Sequence, residues 1–322
     1  MINSRDLTRK AQEEWCAGKG GKVCGYYNLR KQFLSALSDY MNKHNLSKED
    51  VIGVSGIGCS GRFTTWQDVV TVHTTHGNAP NLAQGISLIR EINDKKSLIY
   101  IVSGDGDALA IGRSNFENLC HINANVTYLI LNNGIYAMTS GQTAPTTHYG
   151  VKTVSAPYGN LEAPWDALSI ALDSGATFVA RVSSYHKESN MLKSILTEAF
   201  EHKGMSVVEV ISFCPTQNPD NKGRPPSEVE KEYFKNSIDI DKVKMPKFKG
   251  VDSRLRYALA KDRLSRKNKE VLIKGVVYKF KGEGYSQLTL EQKAELGKKF
   301  GGKSLSEKIE VILKDKKIIS LQ

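Results

Sequence analysis

The chain has 322 residues, of which 40% are hydrophobic and 25% charged, the usual balance of a globular protein. Its net charge is +11, and the excess lies entirely in residues 221–322, which hold 26 Lys and Arg against 14 Asp and Glu. No apolar run approaches the length of a membrane span, and residues 1–15 lack the apolar centre of a signal peptide. We therefore expect a cytoplasmic protein without a membrane partner.

Apolar runs separated by polar turns predict an α/β fold with a doubly wound, mostly parallel sheet. In chain order, the predicted helices span residues 27–44, 115–124, 164–174 and 190–202, and the predicted strands span 50–55, 97–102, 126–131, 178–183 and 205–211. After residue 217 the pattern changes to a linker at 218–226, a helix at 227–234 and one strand of a hairpin at 271–280. Capping-box sequences at 289–292 and 304–307 predict two further short helices.

Two polar turns follow neighbouring predicted strands, and each carries an oxygen ligand suited to a hard cation. Asp105 ends the first strand, whereas Asn133 and the Ile135 carbonyl follow the second. Three such oxygens suit Mg²⁺, which takes its remaining ligands from water and phosphate. Gly104 and Gly106 would let the backbone approach a diphosphate. Either turn alone would be an ordinary Asp-Gly or Asn-Gly turn, but together they predict a site for a metal and a diphosphate.

Three further loops carry candidate residues for the same site. The turn at 56–62, sequence GIGCSGR, follows the first predicted strand and can hold a diphosphate with its backbone amides. His76 lies in a strand-to-helix turn, where a histidine is more often structural, as we expect His73 to be. The predicted cofactor contacts are Ile57, Gly58, Cys59, Ser60, His76, Gly104, Gly106, Asp107, Ala137 and Met138.

The five cysteines are an odd number and widely spread, which does not fit a secreted disulfide framework. Cys120 lies inside a predicted helix, where a cysteine usually acts as a small hydrophobic side chain. The other four, Cys16, Cys24, Cys59 and Cys214, lie in loops or at strand ends. Their thiolates could bind tetrahedral zinc or a [4Fe–4S] cluster, and the spacing does not distinguish the two.

The segments GDGDALAIG, NNGIYAMTSGQTAPTT, GIGCSGR and HTTHGNAP resemble the β subunit of the 2-oxoacid:ferredoxin oxidoreductases. The resemblance runs from about Trp15 to Pro215. It implies thiamine diphosphate held with Mg²⁺ and one [4Fe–4S] cluster on Cys16, Cys24, Cys59 and Cys214. Family members usually have WCPGCG near the first cysteine, whereas Lys19 occupies the second position here. Cys24 therefore matches only if a short insertion displaces that ligand.

The same resemblance implies coenzyme A-dependent oxidative decarboxylation of a 2-oxoacid, with electrons passed through the cluster to ferredoxin. Run in reverse, the reaction would fix CO₂. Arg62 can pair with a substrate carboxylate, which favours 2-oxoglutarate over pyruvate, although it can equally be a surface cation or face the diphosphate. This family keeps the domain that grips the aminopyrimidine on another chain. We therefore expect a companion α subunit and no activity without it.

These observations divide the chain into a cofactor- and cluster-binding domain, residues 1–220, and a basic α+β extension, residues 221–322. The extension is a solvated surface, a docking face for an acidic electron carrier, or a contact with a companion subunit. One alternative is a non-redox thiamine decarboxylase or carboligase subunit with incidental cysteines. The other is a nucleic-acid-binding or scaffold protein, which the sequence supports poorly because no recognised binding module accompanies the charge.

Overall fold

The computed structural model describes residues 1–8, 26–217, 226–244, 253–265 and 272–279. The strands are β1 Val51–Ser55, β2 Val70–His73, β3 Leu98–Gly104, β4 Thr127–Asn132, β5 Ile135–Tyr136, β6 Gln142–Thr143, β7 Phe178–Ser183, β8 Ser206–Ile211, β9 Ser237–Asp239 and β10 Leu272–Lys279. The helices are α1 Tyr26–His44, α2 Arg62–Thr65, α3 Ala79–Ile92, α4 Arg113–His121, α5 Ala167–Asp173, α6 Ser189–Glu201, α7 Pro226–Lys235 and α8 Ser253–Ser265. A π-helical turn spans Asp107–Ile111, and 3₁₀ turns span Lys48–Asp50, His186–Glu188 and Ile240–Lys242.

In the described part of the chain, eight strands form one sheet in the order β2-β1-β3-β4-β8-β7-β10-β9, and β5 pairs with β6 separately. All neighbours in the large sheet run parallel except β10, which is antiparallel to β7. The mostly parallel, doubly wound α/β sheet predicted from the sequence is therefore confirmed. Because β1, β3, β4 and β8 are parallel, their carboxyl ends lie along one edge.

Each face of the sheet is covered by helices because the strand side chains alternate between two apolar layers. In β3, Tyr100 and Val102 join the core that α1 and α6 cover, whereas Ile99 and Ile101 join the core on the opposite face. That second core also contains buried side chains of α3, α4, α5 and α8. Cys120 is fully buried in it, as expected of a small hydrophobic side chain.

The region after residue 220 contributes to the main sheet. Strand β10 is present and pairs with β7 and β9, whereas a following strand of the predicted hairpin would lie outside the described residues. Helix α8 buries Tyr257 and Ala260 in the second core. The domain division at residue 220 stays a prediction, and the helices predicted near 289 and 304 lie outside the described residues.

Among the described residues, no helix is both long and apolar enough to cross a membrane.

Candidate active site

Three loops meet at the carboxyl edge of the sheet, after β1, β3 and β4. The Ser60 hydroxyl lies 3.2 Å from the position that a Cβ on Gly104 would occupy, so the first loop packs against the second. A Cβ on Gly106 would come within 2.2 Å of the Tyr136 ring, so this close approach of the second and third loops requires glycine. The loops that the sequence assigned to one site are therefore neighbours.

Asp105 is the deepest acidic group at this edge, with 2% of its surface exposed. Its Oδ2 accepts a hydrogen bond of 2.5 Å from the Thr146 hydroxyl. Burial raises the pKa of Asp105 to about 6, although hydrogen bonds from Thr146 and from the backbones of Asp105 and Asn133 oppose that shift. No salt bridge to Asp105 occurs among the described residues. Nearby positive charge would therefore stabilise its ionised form.

The turn after β4 holds the predicted amide and carbonyl ligands. Asn133 Oδ1 accepts from the Ile135 amide at 3.1 Å, and Gly134 adopts a left-handed φ of +72° that closes the turn. A cavity of about 30 Å³ beside the turn has room for a small cation or water. Ser212 also lines it, and the buried Ser212 hydroxyl has no hydrogen-bond partner in the part of the chain that is described. The buried Asp105 carboxylate and the oxygens of this neighbouring turn are the hard ligands that fit Mg²⁺ on a diphosphate.

His76 and Asp107 form a pair on the β2 side of the site. His76 Nδ1 contacts Asp107 Oδ1, which also accepts from the Gly77 amide at 2.8 Å. Asp107 is only 3% exposed, so its own side chain is hardly accessible to a cofactor. It would act on a cofactor indirectly, by holding the His76 ring and the Gly77 amide. His73 Nδ1 lies 2.9 Å from Ser55 Oγ, as expected of a structural histidine. Direct cofactor contact by His76 stays a prediction.

Two of the four predicted cluster thiols lie in described loops at this edge. Burial raises the pKa of the Cys59 thiol, and the nearby Cys214 thiol raises it further, whereas Arg62 acts in the opposite direction. The Gln217 amide donates to Cys214 Sγ at 3.4 Å. Cys59 and Cys214 are thus electrostatic neighbours even though they follow different strands. Cys16 and Cys24 lie outside the described residues.

The remaining predicted residues occupy the rim. Ile57 and Met138 are exposed by 39% and 44%, so their apolar side chains are available to a ligand or partner. Gly58 has a left-handed φ of +115°, and Ala137 is half-buried. Arg62 is exposed at the start of α2, close enough to Cys59 to favour the thiolate. Its predicted role toward a substrate carboxylate stays a prediction.

Sequence reasoning missed the side chains that support the metal turn. Thr146 Oγ1 lies 2.9 Å from Asn132 Oδ1 as well as 2.5 Å from Asp105, and so bridges the two loops. Asn132 Nδ2 in turn donates to buried Glu209 at 2.7 Å. A glutamate in the apolar strand β8 was the available signal, because a buried charge requires a partner.

The fold and this edge define a thiamine-diphosphate-binding enzyme of the α/β class. The family model "Thiamine pyrophosphate enzyme, C-terminal TPP binding domain" matches residues 56–210, which include all three loops described above.

Curated relatives narrow this class. The chain is 42% identical over 203 residues to the 2-oxoglutarate synthase subunit KorB of Archaeoglobus fulgidus, covering 63% of this chain and 70% of that one. It is 38% identical over 208 residues to the 2-oxoacid:ferredoxin oxidoreductase subunit beta of Saccharolobus solfataricus, covering 64% of this chain and 63% of the relative. The chain belongs to the β subunits of the 2-oxoacid:ferredoxin oxidoreductases, as the sequence motifs indicated.

A solved structure extends the similarity beyond the matched segments. The 2-oxoglutarate:ferredoxin oxidoreductase from Magnetococcus marinus, with 2-oxoglutarate, coenzyme A and succinyl-CoA bound, superposes with a TM-score of 0.70 at 25% identity. The superposition covers 97% of this chain and 95% of that one. The family fold therefore includes the region where sequence similarity fades.

Proposed function

We propose that this chain is the β subunit of a 2-oxoglutarate:ferredoxin oxidoreductase that forms succinyl-CoA by coenzyme A-dependent oxidative decarboxylation. The observation that supports it most is the Asp105 carboxylate, buried without a salt bridge among the described residues and set against the Asn132–Asn133 turn. The names of the relatives support the substrate. Pyruvate as substrate and reductive carboxylation in the reverse direction stay predictions.

The chain's own residues would hold the cofactor at this edge. Asp105, Asn133 and the Ile135 carbonyl would bind Mg²⁺ on the diphosphate, with Thr146 orienting the carboxylate. The backbone of the GIGCSG turn would line the other side of the diphosphate. Bound thiamine diphosphate would supply the electron sink for loss of CO₂. Arg62, exposed at the mouth of this turn, would hold the distal carboxylate of 2-oxoglutarate.

Electrons would leave through a [4Fe–4S] cluster held by Cys16, Cys24, Cys59 and Cys214. The proximity of Cys59 and Cys214 supports this assignment. The cluster also separates the proposal from a non-redox thiamine enzyme. Iron and acid-labile sulfide in the anaerobically purified protein should be close to four atoms each per chain, as one [4Fe–4S] cluster requires. Their absence would favour the non-redox alternative.

A companion α subunit would close the site over the loop that follows Thr146. This loop exposes four large apolar side chains: Tyr149 by 68%, Val154 by 68%, Tyr158 by 98% and Leu161 by 82%. A cluster of this kind is typical of a protein interface. The double substitution Tyr158→Ser with Leu161→Ser should weaken subunit association at least about tenfold, whereas Leu88→Ser, at an exposed apolar position on α3, should not.

The test of function is an assay of the assembled α–β complex under anaerobic conditions. Reduction of ferredoxin should require both coenzyme A and a 2-oxoacid, with 2-oxoglutarate preferred over pyruvate and branched-chain or aryl 2-oxoacids. Arg62→Met should raise KM for 2-oxoglutarate more than KM for pyruvate, because only the former carries a distal carboxylate. Equal activity with all 2-oxoacids would contradict the substrate assignment, and full activity of the β chain alone would contradict the need for a partner.

A further inference from the structure

A buried ion pair joins two central strands behind the site. Arg181 on β7 and Glu209 on β8 lie directly opposite each other in the sheet register. Arg181 Nε donates to Glu209 Oε2 at 2.6 Å, and both residues are almost fully buried. Burying two charges in a sheet is costly unless each is fully paired, so a pair retained here calls for a reason.

The other oxygen of Glu209 points toward the site. Glu209 Oε1 accepts from Asn132 Nδ2 at 2.7 Å. A carboxylate only accepts hydrogen bonds, so the Asn132 Nδ2 group must face Glu209 and Asn132 Oδ1 must face the opposite side. Asn132 Oδ1 is thereby turned toward the Gly134 amide, at 3.0 Å, and toward the Thr146 hydroxyl, at 2.9 Å. These two contacts shape the turn that carries Asn133 and Ile135 and connect it to Asp105.

The ion pair is anchored from the far side by the C-terminal region. Arg181 Nη2 donates to Asp166 Oδ1 at 2.7 Å. Asp166 Oδ2 accepts from the Tyr257 hydroxyl at 2.8 Å and from Lys261 Nζ at 2.7 Å, both on α8. Two carboxylates and two cations therefore alternate along the chain of contacts, and their formal charges cancel. The network is satisfied at each member, as a buried polar network must be to hold one geometry.

We propose that Glu209 and Arg181 are positioning residues for the cofactor's metal: through the Asn132 amide they hold the Asn132–Ile135 turn in its metal-binding shape. The inference rests on the proposed function, and it assigns the site a support that extends to α8. It differs from a stabilising ion pair in a measurable way. Removing a positioning residue weakens metal and cofactor binding at temperatures where the protein remains folded.

The test compares two buried glutamates in the assembled α–β complex. Glu209→Gln leaves one acceptor oxygen where Arg181 Nε and Asn132 Nδ2 each require one, and it removes the charge opposite Arg181. Glu188→Gln is the matched control, because Glu188 is 3% exposed and accepts from Lys274 Nζ and from the Ser183 amide at 3.0 Å. Neither of these partners of Glu188 belongs to the turn after β4. Mg²⁺ and thiamine diphosphate binding are measured by calorimetry at 25 °C, together with the melting temperature of each variant.

Glu209→Gln should weaken Mg²⁺-dependent thiamine diphosphate binding by about 10- to 100-fold, the range for outer partners of metal ligands. Glu188→Gln should lower the melting temperature by a similar amount but leave binding within about twofold of wild type. If Glu209→Gln does not fold, Glu209→Asp keeps the charge opposite Arg181 but withdraws the carboxylate from Asn132 Nδ2 by one methylene, and it should give a comparable loss. Binding within twofold of wild type in the folded variant would overturn the proposal.

The proposed function and this inference fail in different ways. A wild-type complex that binds neither Mg²⁺ nor thiamine diphosphate would contradict the proposed function. A wild-type complex that binds both, with a folded Glu209→Gln variant that binds them equally well, would contradict only the positioning role. Equal weakening by Glu188→Gln would also contradict it, because the effect would then follow from any loss of buried charge pairing.

Discussion

Two aspartates at opposite ends of the same hydrogen-bonded network have opposite electrostatic environments. Asp166 lies against α8 and is paired with Arg181 and Lys261 at 2.7 Å each. Although burial alone would raise it, these cations hold the pKa of Asp166 well below its usual range. Asp105 lies at the candidate active site, where burial raises its pKa to about 6 and no salt bridge is present among the described residues.

The difference separates a carboxylate paired within the protein from one that we propose binds a metal. The cations around Asp166 belong to the chain itself, so that aspartate is neutralised as soon as the protein folds. Asp105 is left with hydrogen bonds alone, which do not fully offset the loss of hydration. Among the described residues no cation pairs with it, so a cation bound from outside would stabilise its charge. That is the arrangement expected of a metal ligand.

The largest loss of stability is expected on removing Arg181, the buried cation that pairs with Asp166. Arg181→Met should lower the free energy of unfolding by about 3 to 5 kcal/mol, because it leaves the buried carboxylates of Asp166 and Glu209 without their shared partner. Urea denaturation of the purified chain measures the loss. Lys193→Met is the control, because it breaks an exposed pair with Asp39 and should cost under about 1 kcal/mol. Equal losses would mean that burial of the pair has no energetic consequence.

The next substitution is expected to raise the stability of the protein rather than lower it. Asp105→Asn should stabilise the metal-free protein at pH 8 by up to about 3 kcal/mol, because a raised folded-state pKa means that ionisation opposes folding. The wild-type group favours the folded state below its unfolded pKa, and this advantage is lost as the pH rises through about 6. Denaturation at pH 5 and pH 8 measures the effect.

Two measurements complete that comparison. Asp166→Asn, the same change at the neutralised position, should destabilise the protein at pH 8. With Mg²⁺ and thiamine diphosphate present, Asp105→Asn should lose its advantage, because only the wild type gains stability from ligand binding. A metal-free Asp105→Asn variant that is less stable than wild type at pH 8 would contradict the electrostatic contrast.

The sequence predicted the parts of this contrast that depend on local pattern. Asp105 and Asn133 were assigned to one site because each follows an apolar run, and parallel strands bring such ends to one edge. Helix α3 was missed, although Pro80 in its first turn after Asn78 is a typical helix start. Strand β10 was found, but its partner was not, because nothing local specifies that it joins β7, almost one hundred residues earlier.

The supporting network could not be predicted from the sequence for the same reason. Arg181 and Glu209 are separated by 28 residues and Asp166 and Lys261 by 95, so their pairing depends on strand order and on where α8 packs. A buried glutamate in β8 signals that a cation must lie nearby, but not which one. Conversely, the short-range motif GDGD predicted Asp105 as a metal ligand without revealing that its second aspartate holds His76.

A third buried carboxylate, outside the candidate active site, extends the comparison between Asp105 and Asp166. Glu230 on α7 is 7% exposed and accepts from Ser184 Oγ at 2.9 Å, and burial raises its pKa to about 7. Glu230→Gln should therefore be nearly neutral at pH 4.5 and stabilising by up to about 3 kcal/mol at pH 8, since the wild type loses stability as the pH rises through about 7. Unlike Asp105→Asn, this gain should persist with Mg²⁺ and cofactor bound. A gain abolished by cofactor would place Glu230 among the ligands.

The smallest loss of stability is expected for an ion pair whose two charges are both exposed to solvent. Glu117 and Arg113 form an i,i+4 pair on α4 at 2.7 Å, with about 40% of each side chain exposed. Glu117→Gln should cost at most about 0.5 kcal/mol, and less at 1 M salt, because water and ions already screen both groups. Arg113 keeps its contact with the Trp165 ring in this variant, so the measurement isolates the ion pair. The Glu117–Arg113 pair has the same contact distance as the Asp166–Arg181 pair but is not buried. A loss of stability approaching that of Arg181→Met would therefore show that the contrast between Asp105 and Asp166 does not arise from burial.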